Sequence, residues 1–74
     1  METVSITTEY IKLQDVLKFY FLFTGGQAKL LITDGAVSVN GEVCLQRGKK
    51  LRPGDVVTFR DDALPALTVA YADR

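Results

Sequence analysis

Histidine is absent from this chain, which removes the usual general base at neutral pH and the usual nitrogen ligand for metals. Cysteine occurs once, as Cys44, so no internal disulfide can form and no cysteine–histidine nucleophile pair can be assembled. No phosphate-binding loop of the nucleotide-hydrolase kind occurs. The longest apolar run, Phe19 to Phe23, is too short to cross a membrane. The opening METVSITTEY has no basic region ahead of an apolar segment, so no secretory signal is read there. With the lone cysteine, this predicts a reducing, cytoplasmic setting. The end Ala72-Asp73-Arg74 lacks the glycine pair of a β-grasp sulfur carrier. Asp61-Asp62, in a turn-rich stretch with Pro65, reads as a solvated turn before it reads as a cation site. No enzyme activity, cofactor or metal is expected.

Seventy-four residues suffice for one small domain, here 1–74. An apolar fraction of 47% and a charged fraction of 24% fit a globular chain and not a disordered one. Net charge is zero, yet the charges are segregated. Residues 29–52 carry Lys29, Arg47, Lys49, Lys50 and Arg52 against Asp34 and Glu42, and the segments on either side are slightly acidic. Such clustering creates a local field, because screening cancels distant charges within about 8–10 Å.

Val4-Ser5-Ile6-Thr7 alternates as an edge strand, and Tyr10 to Leu13 reads as an extended entry to a helix. Leu13, Val16, Leu17, Tyr20 and Phe21 then form an amphipathic stripe. Phe19, Leu22 and Phe23 widen it, which predicts a helix end covered on more than one side. Tyr10, Tyr20, Phe19, Phe21, Phe23 and Phe59 all read as core or core-flanking. Thr24-Gly25-Gly26-Gln27 matches a capping box opening a second helix of roughly two turns, with Ala28, Leu31 and Ile32 inward. Asp34-Gly35 supplies its stop. Asn40-Gly41 between alternating apolar residues predicts a type I′ hairpin, Val39 facing Glu42 and Val37 facing Cys44, with Cys44 a small buried hydrophobe. Gln46 to Arg52 reads as a basic loop and Pro53-Gly54 as a type II turn. Strands follow at Asp55–Arg60 and Leu67–Tyr71. The sum is an α+β arrangement, two short helices packed on a small, mostly antiparallel sheet.

The run Lys12-Leu13-x-x-x-Leu17, then Thr24-x-x-x-Ala28-Lys29-x-Leu31-Ile32-x-x-Gly35-x-Val37-x-Val39-Asn40-Gly41, and later Pro53-Gly54-Asp55, resembles the S4 RNA-binding domain, or αL motif, over about residues 10–58. Gly25-Gly26 before Ala28-Lys29, with Arg47-Gly48-Lys49-Lys50-Leu51, looks like the short stand-alone bacterial proteins of the YaaA/YbcJ type. The resemblance implies non-catalytic binding of structured RNA, ribosomal or tRNA-like, with ribosomal particles as the setting. Its RNA surface falls on Lys12, on the helix start Thr24, Gly25, Gly26 and Gln27, on Lys29, and on the basic loop residues Arg47, Lys49, Lys50 and Arg52. Two positions depart from the wider family. Gly25 stands where arginine is frequent, and Gln14 where aspartate is frequent.

Each feature also has a plainer explanation. The glycine pair could serve only to turn the chain, and the basic loop could be only a solvated surface. Read as a site, the helix start offers free N–H groups to an anion, and arginine can grip a phosphate with two parallel hydrogen bonds. The alternative function is a protein-interaction module that docks the same basic loop on an acidic partner.

Overall fold

The computed structural model describes residues 2–61 and 64–72. Asp62 and Ala63 of the expected turn, and Asp73 and Arg74 at the end, lie outside them. Strand β1 (Glu2–Ile6) and the two-residue β2 (Ile11–Lys12) lead into helix α1 (Leu13–Tyr20) and helix α2 (Gly25–Thr33). Then come β3 (Val37–Val39), β4 (Glu42–Val43), β5 (Lys50–Leu51), β6 (Val56–Phe59) and β7 (Leu67–Tyr71). The main sheet runs β1-β7-β6-β3-β4, and β2 pairs with β5 in a separate two-stranded ladder. Every pairing is antiparallel except β1 with β7. The α+β arrangement expected from the sequence is therefore present, and β1 is an edge strand as its alternation predicts.

One core joins both layers. Leu13, Val16 and Leu17 of α1 and Ala28 and Ile32 of α2 are fully buried against Val37, Val57, Leu67 and Val69 of the sheet. Burying each of the leucine, isoleucine and valine side chains stabilises the fold by roughly 1.5–3 kcal/mol. Helix α2 ends as the glycine predicts. Gly35 takes φ +78°, its N–H donates to Ile32 O at 3.2 Å, and Ala36 N–H donates to Leu31 O at 3.1 Å. These two bonds are those of the Schellman motif. In the hairpin, Asn40 and Gly41 both take positive φ and Val39 pairs with Glu42. Cys44 N–H donates to Val37 O, which also meets expectation.

Three expectations need correction. Helix α1 is wrapped less fully than the aromatic run suggests: Phe19 is 68% exposed and Leu22 83% exposed, and Tyr20 is also exposed. The core covers α1 only along Leu13, Val16 and Leu17, so residues off that line face solvent. Tyr20 packs its ring edge-on to Phe21, and its hydroxyl donates to Glu2 Oε1 at 2.7 Å. Tyr10, Phe21, Phe23 and Phe59 are half-buried, with the Phe21 ring in contact with those of Phe23 and Phe59. Cys44 is half-buried instead of buried, because β4 is the sheet edge. Finally, Gln46–Arg52 is not all loop, since Lys50–Leu51 forms β5 with Leu51 fully buried. Among the described residues, no helix is long and apolar enough to cross a membrane.

Candidate nucleic-acid interface

The first helix begins without a side-chain cap. Lys12 occupies the cap position, and lysine has no acceptor to offer the free N–H groups of the first turn. Those groups bond instead to the basic segment. Leu13 N–H donates to Lys49 O at 2.9 Å, and Gln14 N–H donates to Arg47 O at 3.0 Å. The backbone of the segment is thereby spent on α1, and its side chains are turned outward; Arg47, Lys49, Lys50 and Arg52 are all exposed.

The β2–β5 register sharpens this. It places Lys12 directly opposite Lys50. Like charges facing each other across a ladder are destabilising. No carboxylate bonds to either of them among the described residues, and Lys50 Nζ lies 5.0 Å from the Tyr10 ring centroid, a cation–π contact. The two facing cations therefore have no acid between them among the described residues.

A second lock fixes the far end of the segment. Asp55 Oδ2 accepts from Arg52 N–H at 2.8 Å, and its Oδ1 accepts from Asn40 Nδ2 at 3.1 Å. Asn40 also accepts from Val56 N–H through Oδ1 at 2.9 Å. The Pro53-Gly54 turn closes with Asp55 N–H on Arg52 O and Gly54 at φ +99°. The bond from Arg52 N–H, foremost, holds the Asp55 carboxyl below its ordinary value against a smaller opposing effect of burial, and Asn40, Lys49 and Arg52 add to it. Asn40-Gly41 and Gly54-Asp55, distant in sequence, are thus one device that ties the hairpin tip to the basic segment. Along the sequence they are separate turns; only their pairing in space joins them.

The start of α2 forms as expected. Thr24 Oγ1 accepts from Gln27 N–H at 3.1 Å, and Gln27 Oε1 accepts from Thr24 N–H at 2.9 Å. The N–H groups of Gly25 and Gly26 make no hydrogen bond among the described residues, and the space beside Gly25 is open. Lys29 is exposed one turn further on. Among the described residues, no hydrogen bond or ion pair joins this tip to the Arg47–Arg52 segment; the link between them is α1, which packs on α2. The residue that the fold joins to the basic segment is Lys12, through β2 and β5.

The S4 domain family model matches residues 4–65. The chain belongs to the S4 domain family. It is 44% identical over 55 residues, 73% of this chain and 78% of the other, to the "Probable ribosome maturation protein RlbA" of Bacillus subtilis (strain 168). A solved pseudouridylate synthase shares the fold with a TM-score of 0.64 at 25% identity over 69% of this chain. The matched region is 22% of that enzyme's length. Among the described residues, no group of three carboxylate or thiol side chains is gathered as a metal site.

Proposed function

We propose that this S4 domain protein is a non-catalytic module that binds structured RNA through its phosphates, as part of the maturation of a ribosomal particle. The observation that carries the reading is the Lys12–Lys50 pair, two cations set face to face beside Arg47, Lys49 and Arg52 on a backbone bonded to the first turn of α1. Phosphate contacts give affinity and register with little sequence choice, so the RNA is recognised by its shape. Gly25, Gly26 and Lys29 add a second anion-facing tip, in which backbone amides stand in for the arginine frequent in the family. The name of the Bacillus relative supports the ribosomal setting, and that setting supports work in the cytoplasm.

Filter binding to structured ribosomal RNA at several salt concentrations tests the reading. Contacts to four to six phosphates give a log–log slope of about −3 to −5. Replacing Lys49, Lys50 and Arg52 with alanine abolishes binding while the circular dichroism spectrum is kept. Undiminished RNA affinity in that triple variant sinks the reading. Capture of an acidic protein that survives nuclease treatment, without RNA binding, favours docking on a protein instead.

A further inference from the structure

Beside the phosphate-facing cations lies an open groove of about 650 Å³ between the hairpin and the basic segment. Its walls combine three chemistries. Lys49, Lys50 and Arg52 supply positive charge. Val43 and Leu45, 61% and 58% exposed, supply an apolar shelf on the short edge strand and just beyond it. Glu42 supplies a carboxylate that makes no hydrogen bond and no ion pair among the described residues, although three cations line the same groove. A carboxylate in this position weakens phosphate binding, and exposed aliphatic side chains do nothing for it.

The geometry points to this groove as the seat of one unpaired base, a guanine, beside the phosphates held by the cations. This rests on the RNA reading and adds a base preference to it. The volume suits a single nucleotide, within the range of ordinary ligand clefts. Val43 and Leu45 cover the face of a base, and unstacked bases in loops and bulges are the ones a protein can reach. Glu42 selects among them. A carboxylate has only acceptors. On its pairing edge guanine presents two adjacent donors, N1–H and N2–H, which match the two carboxylate oxygens. Adenine and cytosine set an acceptor beside their single amino group, and uracil flanks its one N–H with two acceptors. Charge complementarity therefore favours guanine alone at Glu42, with its phosphates toward Lys49, Lys50 and Arg52.

The test uses the full chain and a set of otherwise identical RNA hairpins, one fully paired and four carrying a single bulged G, A, C or U. Binding is measured at two salt concentrations. The expected result is about tenfold tighter binding of the bulged-guanine hairpin than of the other three bulges. Glu42→Gln removes that ratio, and the double variant Val43→Ser with Leu45→Ser brings all four bulged hairpins to the affinity of the paired one. Nuclear magnetic resonance spectra of both variants check that the fold is kept. Four bulged hairpins bound equally by the native protein overturn the inference, as does a guanine ratio untouched by Glu42→Gln. If the paired hairpin binds with a steep salt dependence while the ratios stay at one, only the guanine seat fails. If no hairpin binds, the phosphate reading fails with it.

Discussion

The two ends of helix α1 are built on opposite terms. At its start, a lysine that cannot cap leaves free N–H groups, and the carbonyls of Lys49 and Arg47 fill them. At its end, Phe19 and Leu22 stand in solvent, and Leu22 takes φ +60°, a conformation unfavourable to a leucine. The first end gains its order from a segment more than thirty residues away in sequence, and that order displays charge. The second end is held through side chains, in the ring contacts of Tyr20, Phe21, Phe23 and Phe59 and the bond from the Tyr20 hydroxyl to Glu2. A helix terminus displays charge here when its backbone demands are met by distant chain, because side chains on both partners are then left to face outward.

The largest way to break this contrast is Leu51→Ala. Leu51 is fully buried beneath the ladder that carries Lys50, and its truncation costs about 2–5 kcal/mol by urea denaturation. RNA affinity falls further than the loss of folded protein explains, because β5 no longer presents the segment. Phe19→Ala, at the exposed end, changes stability by no more than about 0.5 kcal/mol, as surface substitutions do.

Asp55→Ala comes next. It frees the Arg52 N–H and the Asn40 amide, at a cost of about 1–3 kcal/mol in thermal or chemical unfolding. The same residue gives a pH signature. Its folded-state value lies below the ordinary 3.8, so its stabilisation is full only well above that ordinary value and is lost as pH falls from there through the folded-state value. Asp55→Asn flattens that acid limb, and a limb of unchanged steepness would show that other carboxylates carry it.

Gly25→Arg sharpens the comparison from the side of α2. The space beside Gly25 is open, so arginine enters without a clash. Affinity for RNA rises several-fold and the salt slope steepens by about one unit, as one added phosphate contact requires. An unchanged slope would mean that the α2 tip lies off the RNA path. A modest gain is expected from Leu22→Asn. Asparagine tolerates positive φ better than leucine, so unfolding stability rises by about 0.5–1 kcal/mol.

Local chemistry made much of this molecule legible. Thr24 and Gln27 cap each other across three residues, Gly35 stops α2, and Asn40-Gly41 turns the hairpin. Each depends on a backbone conformation or a bond that neighbouring residues set among themselves. The stripe Leu13, Val16, Leu17 was legible for the same reason, whereas the neighbouring Phe19 misled, since apolar character does not say which side of a short helix the rest of the chain will cover.

The site followed the same division. That cations cluster between Lys29 and Arg52 is a property of the sequence, as is the family to which its motifs point. That Lys12 faces Lys50, that the basic segment is half strand, and that Asn40 and Asp55 join hairpin to segment were decided only by the tertiary fold. The reason is physical: a two-residue ladder has no periodicity to read, and its partners are chosen by the unmet N–H groups of α1 and the buried Leu51, both of which exist only once the core has closed.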